Sequence, residues 1–327
     1  MNRFPPQGGV IPPQINQFAH LVTTGDTTDR TSDITALLTA YNFFEIFNST
    51  YYIGTITLGP GYSAFGKGDI SMFRLKDSVS SGYCFICQGY NRLRDFRMIG
   101  GITSQPSSIG TRDGIYVSGP AAVFVHISNV MAQGLSGAGM HLVNVGADTQ
   151  GAKLISCAAK VCGVGLYLDT AAEYLSVVAF NTRNCYYGCK NYGGNNTFSA
   201  CHFDANAVGF EIIGTGHDNH GHGSCSASTF NHNTQYGIYM DGNANGFVFN
   251  GCEIHLNTTA DVYLKDSSGI VFTGCQFGTG AKITISGGGE IQFNNCVFVT
   301  APTFSITDNT HVQLNNCYLL DGTAVTL

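Results

Sequence analysis

A pattern of three residues, apolar, variable, apolar, recurs along most of this chain at intervals of about 21 to 28 residues. Its copies begin at Ile115, Met140, Leu166, Phe210, Ile238, Val262, Ile283, Phe304 and Val325, and a degenerate copy begins at Cys189. A short strand that returns at a nearly constant interval indicates one supersecondary unit that is wound again and again. The pattern therefore predicts a solenoid.

A second pattern divides each repeat further. In residues 247–254, FVFNGCEI, two alternating stretches are separated by a polar residue and a glycine. Copies of this pattern occupy 270–277, 291–298 and 312–319, with a looser copy at 196–203. The interruptions end on Gly251, Gly274, Asn295 and Asn316, and Gly and Asn adopt the left-handed backbone conformation most cheaply. We predict a two-residue bend there, with one strand on each side and a third strand at the apolar trio.

Strands this short, with no helix-length segments between them, cannot form crossover units, so successive turns must stack in register. The predicted fold class is all-β, a single-stranded parallel β-helix of ten or more coils. Residues 1–20, rich in Pro and Gln, are predicted to form an extended arm or neck. Residues 21–70 are predicted to hold a short capping helix and the first coil, and residues 71–327 the β-helix itself.

Composition limits the possible partners and cellular location of the protein. The net charge of −6 offers no basic surface, which argues against a nucleic-acid partner. No apolar run reaches the length of a membrane-spanning helix, and the first residues lack the layout of a secretory signal. Five of the twelve cysteines share one inward column, namely Cys201, Cys252, Cys275, Cys296 and Cys317. We expect buried free thiols there, as in a protein assembled in a reducing cytoplasm.

The N-terminal segment resembles the start of the right-handed β-helix in pectate-lyase-like proteins, a start that bacteriophage tailspikes use widely. The matching residues are Gly25-Asp26, Thr28-Asp29, Thr31, Asp33-Ile34, Tyr52-Ile53, Thr55 to Leu58 and Gly66-Lys67-Gly68. The resemblance implies a right-handed β-helix, a homotrimer, and binding to a bacterial surface polysaccharide that the protein often cleaves. It also implies a place in the virion tail, attached to the phage tail or baseplate through the N-terminal arm.

The chain departs from that family at both ends. No recognisable particle-binding head domain precedes the matching segment, and the last coil ends in mid-pattern at Leu327. We expect that a C-terminal trimerisation or maturation domain is missing after the last coil. The alternative is that partner chains cover that end.

The central residues of the trios should form one column on the outer face of their sheet. Acidic residues and potential sugar-binding groups stand in this column or two residues later. The sugar-binding candidates are His141, Tyr167, Asp169, Lys190, Tyr192, Tyr239 and Tyr263. The alternative to sugar binding is that this column forms a trimer interface or a solvated sheet face.

Glu211 and Asp241 are the candidate catalytic residues. They lie on neighbouring coils and are offset by two residues, which predicts a separation of about 8 Å. That separation suits an inverting glycosidase, with one carboxyl as acid and the other as base. The longest interval between trios follows Glu211, and its loop supplies Asp218 as an alternative carboxylate.

The same loop carries His217, His220 and His222, which are weak candidates for metal ligands because no acidic or Cys ligands flank them at defined spacing. A flexible polar loop explains them more simply, and no cofactor is expected. A rival catalytic pair, Asp204 and Glu253, faces outward after the bend, about 10 Å apart.

Two hypotheses follow. The first is a phage tailspike domain that binds lipopolysaccharide O-antigen or capsule and cleaves it by hydrolysis. Elimination with Lys190, His141 or a tyrosine as base is the second choice of chemistry, because the outer column holds few acids for a calcium site. The second hypothesis is a trimeric adhesin or structural spike without enzymatic activity.

Overall fold

The computed structural model describes residues 27–46, 49–77, 79–118, 124–143, 151–214, 221–242, 244–307 and 311–327. In these ranges the chain forms one helix and two parallel sheets that wind into a β-solenoid. Each regular turn contributes one strand before the bend, one after it and one at the apolar trio, as the sequence predicts. The predicted fold class is confirmed, with about ten turns.

Sheet 1 contains the apolar trios in eleven described strands. They are Ile56–Leu58, Gly82–Cys87, Arg112–Val117, Ala138–Leu142, Val164–Leu168, Tyr187–Asn191, Val208–Ile213, Tyr236–Asp241, Ala260–Lys265, Lys282–Ser286 and Thr303–Thr307. Each trio lies directly opposite the trio of the next coil. For example, His141 is opposite Tyr116 on one side and Tyr167 on the other.

Sheet 2 contains the strands on both sides of the bends, twenty-two in the described ranges. They are Phe43–Glu45, Thr50–Ile53, Ser63–Phe65, Met72–Leu75, Arg92–Ile99, His126–Gln133, Lys153–Ile155, Ala158–Lys160, Ser176–Val178, Asn181–Arg183, Asn196–Ser199, His202–Asp204, Gly223–Ser226, Thr229–Asn231, Phe247–Asn250, Glu253–His255, Ile270–Thr273, Gln276–Phe277, Ile291–Asn294, Val297–Phe298, Val312–Asn315 and Tyr318–Leu319.

The bends have the predicted left-handed backbone, with φ of 60° at Gly251 and 53° at Asn295. The same conformation occurs at Ala200 and Ala227, which sequence alone does not mark as bend residues. An alanine in this region is strained by its Cβ. The stacked coils therefore impose the bend even where the residue resists it.

A glycine precedes most trios, and the structure explains why. A Cβ on Gly165 would lie 2.4 Å from the carbonyl oxygen of Gly188 and 2.5 Å from the Thr182 side chain. Gly188 and Gly209 are equally crowded by the next coil's backbone. At these glycines the neighbouring coil leaves no room for a side chain.

The inward residues form one continuous core, in which the cysteines take part as small apolar groups. All twelve cysteines are free and buried, as predicted for the inward column. Burial raises the pKa of the Cys201 thiol to about 12. The Cys201 thiol is therefore protonated at neutral pH.

The capping helix spans Thr31–Tyr41 and buries Ile34 and Leu38 against the first coil. Asp29 binds the first residue of the helix, because its Oδ1 accepts a hydrogen bond of 2.9 Å from the Thr31 amide. The helix ends at Asn42 in a left-handed conformation. The predicted helix is present and covers the apolar end of the solenoid.

One predicted strand is wrong. The last trio, Val325 to Leu327, does not join sheet 1. The chain reverses at Gly322 instead, and Ala324 bridges antiparallel to Tyr318. The arm at residues 1–20 lies outside the described ranges. No helix within those ranges is long and apolar enough to cross a membrane.

Candidate functional site

The outer face of sheet 1 carries the predicted column of polar and aromatic side chains. In the trios before the last strand of sheet 1, the two flanking residues are buried and the central residue points outward, as Ile238, Tyr239 and Met240 show. We call the outward residues of this face the outer strip. It consists of Tyr83, Asp113, Tyr116, His141, Tyr167, Tyr187, Lys190, Tyr192, Glu211, Tyr236, Tyr239, Asp241, Tyr263 and Lys265.

Aromatic rings of the outer strip stack on one another from coil to coil. The ring centroids are 4.3 Å apart for Tyr83 and Tyr116, and 4.5 Å apart for His141 and Tyr167. Tyr239 and Tyr263 lie 5.2 Å apart with nearly parallel rings. Rings stacked along the solenoid axis turn their edges and hydroxyls outward. The strip therefore offers hydrogen-bonding hydroxyls more than open ring faces.

These hydroxyls are donors rather than charged groups. Burial is the main cause that raises the pKa of five tyrosines of the strip above the usual value, and nearby acids add to it; Tyr83 is one of them. The other four are Tyr167, Tyr187, Tyr192 and Tyr239.

Glu211 lies at the centre of the strip and is only 5% exposed. Its Oε1 accepts hydrogen bonds of 2.8 Å from both the Lys190 ammonium and the Tyr192 hydroxyl. The Lys190 Nζ also lies 4.1 Å above the Tyr187 ring and 5.0 Å from the Tyr192 ring. The ammonium is thus enclosed by one carboxylate and two aromatic faces, which holds this cluster in one geometry.

Asp241 belongs to a second, more open cluster. Its Oδ2 accepts hydrogen bonds of 3.1 Å from the Tyr239 hydroxyl and from the Lys265 ammonium. Glu211 pairs with Tyr239 in the sheet, and Asp241 pairs with Ile213. The two carboxyl residues are therefore one strand and two residues apart, as predicted, which corresponds to about 8 Å between their backbones.

Sequence reasoning missed Asp113. Its Oδ2 lies 3.0 Å from His141 Nδ1, and its Oδ1 accepts a hydrogen bond of 2.6 Å from the Ala138 amide. The His141 Nε2 is buried and has no hydrogen-bond partner in the described part of the chain. The sequence holds one signal for Asp113. It stands directly before the glycine that precedes its trio, and the equivalent residues of the next two coils are apolar, Ala138 and Val164.

Other predicted residues lie apart from these clusters or outside the described ranges. Asp169 accepts a hydrogen bond from the neighbouring Thr170 amide, without a contact to Glu211. His222 Nε2 lies 2.8 Å from the Asn195 side chain. Asp218, His217 and His220 fall outside the described residues. Within the described ranges, no group of three His, Cys, Asp or Glu side chains could hold a metal ion.

The rival pair occupies the outer face of sheet 2. Asp204 accepts hydrogen bonds from the Thr229 hydroxyl and the Asn231 amide, at 3.1 and 3.2 Å. Glu253 contacts His255 instead, at 3.1 Å. The two carboxylates thus belong to separate clusters.

A groove of about 760 Å³ lies beside Asp204 and not beside Glu211. The acids, bases and hydroxyls of the outer strip contact one another, whereas the groove has one carboxylate. The groove itself is a separate feature.

Comparisons with known proteins agree with this architecture. Residues 217–319 match the family model of the right-handed beta helix region. A search of curated protein sequences finds no match.

Several solved structures share the fold. The A-module of mannuronan C-5 epimerase AlgE6 from Azotobacter vinelandii superimposes with a TM-score of 0.63 at 12% identity, over 90% of this chain and 96% of the other. The catalytic domain of a GH87 alpha-1,3-glucanase in complex with tetrasaccharides gives 0.61 at 13% identity, over 97% and 71%.

The tailspike of Escherichia coli bacteriophage HK620, in complex with a pentasaccharide, gives a TM-score of 0.59 at 10% identity, over 93% of this chain and 64% of the other. Identities this low show a shared fold and nothing more. The resemblance read from the sequence is confirmed at that level: the structural neighbours include phage tailspikes and other right-handed β-helix proteins that act on carbohydrates. The chain is a right-handed parallel β-helix.

Proposed function

We propose that this chain binds a bacterial surface polysaccharide, O-antigen or capsule, along the outer strip of sheet 1 and cleaves it by hydrolysis. The observation that carries the proposal is the Lys190, Tyr192 and Glu211 cluster at the centre of a row of outward hydroxyls. A row of donors with a fixed carboxylate at its centre suits a chain of sugar hydroxyls with one bond to be cut.

The structural neighbours support the substrate class. An epimerase of mannuronan, a glucanase with bound tetrasaccharides and a tailspike with a bound pentasaccharide all use this fold on saccharides. Their low identity assigns no residue here. The roles below are therefore argued from the contacts in this chain.

Glu211 is assigned as the general base. Lys190 and Tyr192 both donate to Oε1 and hold the carboxylate in place, while Oε2 makes no hydrogen bond within the described ranges. Oε2 would accept a proton from the attacking water, whose oxygen bonds to the anomeric carbon. Asp241 would enter the reaction protonated at Oδ1, since its contacts are at Oδ2, and would give that proton to the departing glycosidic oxygen. A backbone separation of about 8 Å is compatible with the carboxyl spacing of an inverting enzyme, which leaves room for that water.

The test is to incubate the purified protein with a panel of bacterial lipopolysaccharides and capsules and to analyse the products by mass spectrometry. Hydrolysis adds one water and creates a reducing end. Glu211→Gln and Asp241→Asn should each lower turnover about 10²- to 10⁴-fold with the fold intact. Unchanged turnover in both variants would reject the assigned pair. Unsaturated sugars would indicate elimination instead, with His141, held by Asp113, as the base.

The second candidate is a carbohydrate-binding spike that does not cleave its ligand. One observation favours it: each candidate carboxylate already accepts hydrogen bonds from a lysine and a tyrosine. Binding of a surface glycan without any product from it would establish this second candidate and reject the first.

The tailspike neighbour also supports a proposal about assembly. We propose that the chain forms a homotrimer in the virion tail, after assembly in the host cytoplasm, and attaches to the tail or baseplate through residues 1–20. Analytical ultracentrifugation tests the oligomer directly. A mass of three chains is expected, and a monomer over a wide concentration range would contradict it.

A further inference from the structure

A groove runs across sheet 2, where the strands that follow the bend stack on one another. It has a volume of about 760 Å³. The lining residues are Met131, Ala158, Ala159, Lys160, Asn181, Thr182, Arg183, His202, Asp204, Ala205 and His232. Small apolar residues line its first coils and polar side chains the later ones. A partly apolar cleft with a few convergent polar groups is the usual form of a small-ligand site.

Two cations stand next to each other in this groove. Lys160 and Arg183 are direct register partners on adjacent strands, and both side chains are exposed. Like charges in this arrangement repel each other. Neither side chain makes a hydrogen bond or an ion pair with another described residue. Neither cation is therefore paired with a carboxylate of the described residues.

A carboxylate is close by but is directed elsewhere. Asp204 is the next register partner of Arg183. Its Oδ1 is bound to the Thr229 hydroxyl and the Asn231 amide on the far side, and its Oδ2 lies 3.8 Å from His202 Nδ1. An arginine and an aspartate on adjacent strands could pair, and here they do not. The guanidinium remains available to a bidentate anion from outside.

We infer that this groove is a second saccharide-binding site that takes an acidic oligosaccharide, with Lys160 and Arg183 binding its carboxylate. Asn181 and His202 lie beside the cations and offer hydrogen bonds to sugar hydroxyls. The apolar floor at Ala158 and Met131 suits the C–H face of a sugar ring. The inference rests on the proposed function only in taking a saccharide as the ligand.

The probe is tetragalacturonate, with maltotetraose as the neutral ligand of equal length. Binding is measured by calorimetry at low ionic strength. Tetragalacturonate should bind the wild-type protein and maltotetraose should bind at least about 10-fold more weakly, because only the former carries carboxylates. The double variant Lys160→Gln/Arg183→Gln should lower tetragalacturonate affinity at least about 10-fold. Equal affinity for the two saccharides would overturn the inference.

The matched control is Arg92→Gln/Lys153→Gln, which removes the same charge from exposed positions on other strands of sheet 2. This control should bind as the wild type does. Equal weakening in both double variants would show unspecific attraction and contradict the site. Competition by inorganic phosphate as strong as that by tetragalacturonate would reduce it to a simple anion site, which also contradicts the inference.

Glu211→Gln separates this site from the proposed function. The variant should lose cleavage and keep tetragalacturonate binding in the groove, because Glu211 lies on the other sheet. Absence of any cleavage by the wild type leaves the groove result unchanged. Loss of groove binding in Glu211→Gln would instead place the acidic saccharide on the outer strip and overturn the second site.

Discussion

Lysines on the two outer faces of the solenoid have opposite surroundings. On sheet 1, Lys190 is buried and lies 2.8 Å from the carboxylate of Glu211, its register partner on the next coil. On sheet 2, Lys160 is exposed beside Arg183, and neither has an acidic partner within the described ranges. A parallel β-helix places equivalent positions one strand spacing apart. On sheet 1 the opposite charges of Lys190 and Glu211 neutralise each other, whereas on sheet 2 the like charges of Lys160 and Arg183 favour an external anion.

The largest expected difference in stability is between variants that lack one of these two lysines. Lys190→Met leaves the buried Glu211 carboxylate without its ammonium partner, which should lower the free energy of unfolding by about 3 to 5 kcal/mol. Lys160→Met removes an unpaired surface charge and should change the free energy of unfolding by no more than about 0.5 kcal/mol. Urea denaturation of both variants measures the difference.

A third variant sharpens this comparison. Adding Glu211→Gln to Lys190→Met removes the orphaned charge and should restore part of the lost stability. Equal stability of the two single variants would show that the Lys190 and Glu211 pair is as weak as a surface contact.

Tyr192→Phe tests the second donor to Glu211. Loss of one hydrogen bond to a buried carboxylate should cost about 1.5 to 3 kcal/mol of unfolding free energy. The ring and its contact with Lys190 are retained. Tyr263→Phe is the matched control, because no side-chain hydrogen bond holds that hydroxyl in the described ranges. Equal effects of both substitutions would mean that the hydrogen bond from Tyr192 to Glu211 contributes nothing to stability.

Alkaline pH should lower the stability of the protein through the tyrosines of the outer strip. Burial, and then the nearby Glu211 charge, raise the pKa of Tyr192 above its usual value. A group with a raised pKa contributes full stability below its unfolded value, about pH 10 for tyrosine, and this contribution declines as the pH rises further. Tyr192→Phe should therefore lose stability less steeply above about pH 10 than the wild type. Identical slopes in pH-dependent denaturation would contradict the cause given for the shift.

The smallest effect is expected from Lys265→Gln. The Lys265 ammonium contacts Asp241 at 3.1 Å but is exposed to solvent. Water and salt screen such a pair, so no measurable change in unfolding is expected. A destabilisation comparable with that of Lys190→Met would show that burial does not explain the difference between the two lysines.

The repeat pattern predicts the fold well because alternation decides which residues face the core. It assigned Tyr239 to the outer face and Cys252 to the core, and both are found there. It also predicted the left-handed bends at glycine and asparagine, but not those at Ala200 and Ala227. Those bends depend on neighbouring coils, which a single repeat does not contain.

The contacts at the outer strip were less predictable. Alternation shows that Lys190 and Glu211 share a face, but side-chain rotamers decide that Glu211 pairs with Lys190 and Tyr192. The role of Asp113 depends on the ring orientation of His141 one coil later. The groove arises from small residues on several coils, such as Ala158 and Ala205, which no single motif displays. The assignment of Glu211 and Asp241 as catalytic residues remains a prediction.

The most direct test is a crystal structure of Glu211→Gln with an oligosaccharide of the glycan that the protein binds. The account predicts a saccharide along the outer strip of sheet 1, with a glycosidic bond between residues 211 and 241 and hydroxyls bonded to strip tyrosines. A cognate oligosaccharide found only in the groove beside Lys160 and Arg183, with the outer strip empty, would contradict it.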